Sequence, residues 1–308
     1  MTTPTPGDPL ARYTDSTLAR PLPSGLHAAR RDVLAAVHDL RTISDARLAK
    51  PWGWKGGSEE EIRYGFYRIG EAFELAAIEA EAAIRRVGLD RGRTADRIAP
   101  ATAARWDLHG LLIPLTDATW DADPGGGEWT IRQTLGHTVA GQRGYGATSG
   151  WWQLQGLSPD DPDLPAVPES IFDELPSEEA EAEGTPVQIR DRLDETLDGA
   201  TERLAGLPAD RLAFGARWSG FPVDVGFRIS RWSSHIREHT IQVEKTLVML
   251  DQRPTEVDRL VRLVLAAWGR AEAAVYGSAG AGEDVVILAS AAAGAHATAA
   301  ELAEIAQI

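Results

Sequence analysis

The sequence predicts an all-α protein, and three observations carry the prediction. Helix start and stop signals recur along most of the chain, apolar residues return at helical spacing, and strand signals are nearly absent. With 308 residues, 43% of them apolar and 25% charged, the chain can bury a sizeable core.

Residues 1–24 carry Pro4, Pro6, Pro9, Pro21 and Pro23 among small polar residues and read as a flexible arm. Residues 25–95 read as an N-terminal helical region. Within it, Ser58 and Glu61 form a capping box that opens a long helix closing on arginines and Gly88. A second helix is expected from about Pro100 to Trp120, kinked or broken at Pro114. After the turn DADPGGGE, Thr130 with Gln133 caps a third helix ending near Trp152. Residues 160–183 contain acidic side chains and no basic one, and read as a solvated acidic loop, with a lid over a pocket as the alternative. Thr185, Pro186 and Gln188 start a fourth helix reaching Gly206, a fifth spans about Val225 to Leu250, and Thr255 caps a sixth. These last elements place a helical bundle at 96–276. The Ala/Gly-rich tail, 277–308, fits a weak helix, a short strand at Val285–Leu288, or disorder.

An internal repeat is faintly visible. Trp54, Ile62, Arg63 and Phe66 parallel Trp129, Ile131, Arg132 and Leu135, which would make 25–95 a degenerate half-repeat with Arg68 at the position of His137. Two similarly capped amphipathic helices would leave the same trace.

Forty-six acidic against 31 basic side chains give a formal charge of −15, a field that repels phosphate backbones and anionic lipid surfaces. Neither a nucleic acid nor a membrane is an expected partner. The N-terminus lacks a basic stretch followed by an apolar one, and no apolar run approaches the roughly 18 residues needed to span a bilayer. A cytoplasmic location is expected. Cysteine is absent, so any thiol chemistry must use a borrowed thiol.

The histidines carry the chemical signal. In RWSSHIREHTIQVEKTL, His235 and His239 are four residues apart and share a helix face at the edge of the apolar stripe Ile229, Trp232, Ile236, Val243 and Leu247. That spacing suits a shared metal ion, although core-edge histidines are often only hydrogen-bonded. Catalytic divalent ions usually take three protein ligands. His137 is the candidate third, on a face with Thr134, Gly141 and Tyr145 whose small neighbours allow close helix packing. His27, His38, His109 and His296 read as surface or structural. His235, Glu238 and His239 also spell H-x-x-E-H, in which the glutamate would act on a metal-bound water; the alternative for Glu238 is a surface partner of Arg231 or Arg237.

Taken together, Trp106 to Trp152, the run PGGGEWTIRQTLGH and RWSSHIREHTIQVEKTL resemble the DinB-like superfamily of four-helix-bundle proteins over about residues 98–250. The superfamily includes bacillithiol S-transferases and mycothiol-dependent isomerases. The resemblance implies a four-helix bundle with an added N-terminal helical region, and a divalent ion (zinc, nickel or iron) held by His137, His235 and His239. It further implies a low-molecular-weight thiol such as mycothiol as co-substrate and an electrophile as its partner, for S-transfer or isomerisation. Arg143, Arg228 and Arg231 are candidates to hold carboxylates or hydroxyls of thiol or substrate, and Tyr145 and Trp232 to line the pocket, though surface ion pairs and plain core packing account for the same residues. A hydrolase using bound hydroxide, a non-catalytic metal-binding protein and a plain helical interaction module are the competing readings. Trp151, Trp152 and Trp268, as surplus tryptophans, suggest a homodimer.

Overall fold

The computed structural model describes residues 12–13, 15–56, 59–277 and 282–308. In chain order the helices are α1 (Leu26–Leu40), α2 (Ile62–Arg86), α3 (Gly92–Leu112), α4 (Asp117–Asp121), α5 (Ile131–Trp152), α6 (Glu169–Asp173), α7 (Glu178–Ala182), α8 (Pro186–Leu204), α9 (Val225–Met249), α10 (Glu256–Val275) and α11 (Glu283–Gln307). Two short antiparallel hairpins accompany them, β1 (Pro51–Gly53) with β2 (Glu59–Glu61) and β3 (Gly215–Trp218) with β4 (Phe221–Asp224). The protein is helical, as expected.

Packing arranges the long helices as two closed rings. In the first, α3 packs on α9, α9 on α5, α5 on α8, and α8 back on α3. In the second, α1 packs on α11, α11 on α2, α2 on α10, and α10 more lightly on α1. Both rings therefore follow one order, first helix to fourth to second to third, and the first ring is inserted between α2 and α10 of the second. The N-terminal helices and the C-terminal tail thus fold together, with α10 along α3 as the seam between rings. Gly269 lets the helices approach at that seam, since a Cβ there would meet Trp106 Cβ at 2.8 Å.

The core runs through the seam. Trp268 lies edge-on to Phe73 at 5.3 Å and to Trp106 at 6.3 Å between ring centroids, joining α2, α3 and α10. Trp152 and Trp268 are fully buried and Trp151, partly buried, is packed against the core, so these tryptophans serve the interior. Beneath them sits an ionic cluster contributed by both rings. Arg30 of α1 reaches Asp198 of α8 at 2.5 Å and Glu272 of α10 at 2.7 Å, while Arg105 of α3 bonds the same two carboxylates. Burial raises the Asp198 carboxyl, but Arg105 and Arg30 outweigh it and hold the group well below the usual carboxylate range.

Several boundaries differ from the sequence expectation. The N-caps at Thr130, Thr185 and Thr255 form as expected, and the one at Thr255 is completed as a capping box by Asp258. Ser58 lies outside the described residues, and Glu61, expected inside the helix, is the residue before α2 and ends β2. The second helix begins at Gly92, with Pro100 inside it, because most of its residues from Ile98 on are buried positions that tertiary packing fixes. It ends before Pro114, and α4 is separate. Of the supposed flexible arm, residues 15–24 dock on α8: Arg20 N and Leu22 N donate to the Glu202 backbone oxygen and to Glu202 Oε1. The tail becomes α11, whose 18-residue window of mean hydropathy 1.5 is long and apolar enough to cross a membrane, contrary to the expectation that no such run exists. In the fold it lies along α1 and α2.

Candidate metal centre

Three imidazoles meet where α5 and α9 cross. The contacts Thr148–Arg228, Gly141–His235 and Trp129–Thr246 run in opposite directions along the two helices, which are therefore antiparallel. The 3.6-residue period stacks His137, Gly141, Tyr145 and Thr148 on one stripe of α5, and Arg228, His235 and His239 on the facing stripe of α9. His235 and His239 are buried, and His137 stays partly exposed.

The ligand atoms converge. His235 Nε2 lies 2.9 Å from His239 Nε2 and 3.4 Å from His137 Nε2, and all three nitrogens fall within 4.8 Å of one another. Each opposite nitrogen has its own partner. His137 Nδ1 faces Glu178 Oε1 at 2.7 Å and His239 Nδ1 faces Gln242 Oε1 at 2.8 Å, so both rings donate from Nδ1 and turn a free Nε2 lone pair inward. Gln142 Nε2 lies 3.2 Å from His235 Nδ1 and also donates to the Trp232 carbonyl oxygen, while Gln142 Oε1 is buried without a partner. Ligation by His235 Nε2 therefore needs the ring hydrogen on Nδ1 and the Gln142 amide turned so that Oε1 accepts it.

Electrostatics favour neutral rings, the form that binds metal. Burial first, then His239 and His137, push His235 down to about 3. Burial also lowers His239, against the opposing effect of the hydrogen bond its Nδ1 donates to Gln242 Oε1. Three imidazole nitrogens with their outer nitrogens held make a donor set that fits a divalent ion such as zinc, nickel or iron.

The acidic segment is part of this site. Its last part forms α7, which seats on α5 so closely that a Cβ on Gly136 would lie 2.5 Å from the Glu178 carbonyl oxygen. Glu178 thereby reaches His137, and Glu181, 1% exposed, takes Arg143 at 2.6 Å and approaches Arg192 at 3.4 Å. The reading of 160–183 as a plain solvated connection fails here: arginines on α5 and α8 draw one end of it inward. Trp129, its ring 5.1 Å from that of His137, and Glu178 border an open cleft of about 630 Å³ that also includes Arg132, Gln133 and Glu179.

The other expected residues divide. Tyr145 packs edge-on to His235 at 5.0 Å, Arg228 lies 5.5 Å from the Tyr145 ring, and Arg231 stands over Trp218 at 4.8 Å. Trp232 is fully buried and its ring belongs to the core. Arg143 is consumed by Glu181. Glu238 is held by both terminal nitrogens of Arg231, at 2.8 and 3.0 Å, whose hydrogen bonds lower its pKa, with His239 adding a smaller electrostatic pull. Of the histidines set aside, His109 is buried and bonds Asp194 at 2.8 Å, and His296 approaches Asp39 at 3.6 Å. Glu178, Gln242 and Gln142 had no sequence signal, because their roles follow from a loop seat and from helix rotation.

No curated protein and no solved structure matches the chain. Residues 101–243 match the family model of the DinB superfamily, a span from within α3 to within α9 that takes in His137, His235 and His239. The stretch that carries the three histidines is thus the part of this chain that is similar to the DinB superfamily.

Proposed function

We propose that the protein is a cytoplasmic, divalent-metal-dependent transferase that activates a low-molecular-weight, mycothiol-like thiol for S-transfer to an electrophile or for isomerisation. The observation that carries the reading is the convergence of three imidazole Nε2 atoms at a partly open position, with no cysteine in the chain to compete as nucleophile. A divalent ion at such a position lowers the pKa of a thiol placed against it and steadies the resulting anion.

The residues of the chain supply the rest. His137, His235 and His239 present lone pairs, Glu178 and Gln242 fix two ring orientations, and Trp129 packs its ring against that of His137. Burial raises the Tyr145 phenol, so its hydroxyl keeps its proton and can donate a hydrogen bond to an anion beside His235. In transfer, the thiolate sulfur forms a bond to the electrophilic carbon and the leaving group departs with its bonding pair. In isomerisation, the same carbon–sulfur bond forms, the adduct rotates, and the bond breaks to return the thiolate. A hydrolytic reading needs a free general base near the histidines, and Glu238 is tied to Arg231 while Glu178 is tied to His137.

Elemental analysis by plasma mass spectrometry tests the centre, using full-length protein purified without chelator beside His137→Ala and His239→Ala. About one divalent ion per chain, lost in both variants, is expected, followed by thiol-dependent consumption of a model electrophile. A wild-type protein that holds no stoichiometric ion even after metal supplementation ends this reading.

A further inference from the structure

Arg228 is a charge without a counter-charge. Its side chain is nine-tenths buried, yet among the described residues no carboxylate forms an ion pair with it. Its terminal nitrogens donate to Thr148 Oγ1 at 2.5 Å and to the Arg217 carbonyl oxygen at 3.4 Å, both neutral, and its Nε has no partner. Arg231 adds a second positive charge three residues on. Both guanidinium carbons stand over the Trp218 ring, at 5.0 and 4.8 Å, and the Arg231 Nε is also buried without a partner. Glu238 neutralises Arg231 alone. Burial, with Arg231 adding to it, pulls the Arg228 guanidinium down to about 10, which still leaves it charged at neutral pH.

A buried cation and a partly buried one sharing one aromatic ring, with one acid between them, cost the fold stability. An anion delivered by a ligand removes that cost. The location is also informative. Tyr145 bridges the two places, its ring 5.0 Å from that of His235 and 5.5 Å from the Arg228 guanidinium carbon. Arg228 and His235 are seven residues apart on α9, about 10 Å along the helix axis. Trp218 roofs the arginines from the end of β3, next to the two-residue turn Ser219–Gly220, whose positive φ values of 46° and 86° make the tight hairpin turn.

The geometry points to a carboxylate-binding subsite made by Arg228 and Arg231 under Trp218, one aromatic ring away from the histidine cluster. The molecule handled there carries a carboxylate about 10 Å from its reacting atom. The position of that reacting atom rests on the proposed metal and thiol chemistry; the subsite itself does not. Arg143, the third arginine singled out in the sequence, takes no part because Glu181 already neutralises it.

The first test uses metal-free, full-length protein at constant ionic strength and follows the melting temperature with added succinate or its neutral diamide, succinamide. Succinate should raise the melting temperature saturably and succinamide should not. Arg228→Gln should abolish the succinate response and, by removing an uncompensated buried charge, melt no lower than wild type without ligand. Arg231→Gln, nearer the surface, should weaken the response and serves if Arg228→Gln fails to fold. Equal responses to succinate and succinamide, or a full succinate response in Arg228→Gln, overturn the subsite. A second measurement on cobalt(II)-loaded protein titrates the thiolate-to-metal absorption band with glutathione and with its dimethyl ester. Tighter binding of the free acid, lost in Arg228→Gln, places the carboxylate on the thiol; equal binding alongside an intact succinate response places it on the electrophile. No band with either thiol ends the thiol reading and leaves the subsite standing on the first measurement.

Discussion

A Cβ placed on Gly141 would lie 2.5 Å from His235 Cε1, so the absence of a side chain at that position is what lets the imidazole turn toward its two partners. Gly141→Ala should displace His235 and lose bound metal. The fold should survive, because the helix-propensity gain of alanine over glycine, about 1 kcal/mol, offsets part of an overpacking cost of roughly 1–3 kcal/mol. Gly144 lies one turn on with nothing within 4 Å of its hypothetical Cβ. Gly144→Ala should therefore retain metal and gain about 0.5–1 kcal/mol of stability. Metal content and melting temperature of the pair check both; equal metal loading would show that His235 does not depend on this clearance.

Glu178→Gln separates a carboxylate partner from a mere neighbour. Glu178 accepts from His137 Nδ1 at 2.7 Å with its own side chain half exposed, so its removal costs little packing. A weaker acceptor makes the imidazole a poorer ligand, and metal affinity should fall about 10- to 100-fold. Glu179→Gln, the adjacent exposed residue, should change nothing. Competition against a chromophoric chelator reads both constants.

Acid should destabilise the metal-free protein through His235. Its pKa is held at about 3 in the fold, against roughly 6.5 in an unfolded chain. Between those values the unfolded chain binds the extra proton, so the stabilisation is full above pH 6.5 and is lost as pH falls toward 3. At pH 5 the loss from this one ring is about 2 kcal/mol. Urea unfolding of the metal-free protein at pH 7 and pH 5 measures it, and His235→Gln should flatten the dependence. An unchanged slope in that variant would assign the acid sensitivity to other groups.

The parts of this protein legible in the sequence are those set by local spacing. The caps at Thr130, Thr185 and Thr255 fix helix starts within a few residues. His235 and His239 declare a shared face by their separation, and Gly141 and Tyr145 mark the face of α5 that carries His137. The missing parts depend on partners distant in the chain. Nothing near Arg143 announces that Glu181 will neutralise it across 38 residues, and nothing in the acidic run separates Glu178 from its exposed neighbours until α7 seats on Gly136. The faint repeat has a structural counterpart: Arg68 stacks over Trp54 at 5.1 Å, as His137 lies 5.1 Å from Trp129, and α2 and α5 hold the same place in their rings. Where His137 meets two imidazoles, α11 offers Ser290, Ala291, Gly294 and Thr298 along the groove beside Arg68. That difference could be seen only once α11 was known to be a helix.

The ionic cluster at the seam predicts how the two rings unfold. Glu272 is fully buried and accepts from Arg30, Arg105 and Trp106 Nε1, so it joins α1 and α10 of one ring to α3 of the other. Glu272→Gln keeps the shape and removes the charge, leaving two buried guanidiniums with Asp198 as their remaining shared carboxylate. Breaking a buried pair from one side typically costs about 3–5 kcal/mol, far more than deleting an exposed one. The histidines lie on the opposite side of the first ring, between α5 and α9, so metal stoichiometry in this variant should stay at the wild-type value. Wild-type protein, with the cluster and the Trp268 contacts spanning the seam, should unfold in urea as one transition. Glu272→Gln should lower the midpoint and, if the seam is what makes unfolding cooperative, split the transition in two, with the ring that holds the metal unfolding last in the presence of the ion. A single, unshifted transition in Glu272→Gln would mean that apolar packing alone couples the rings.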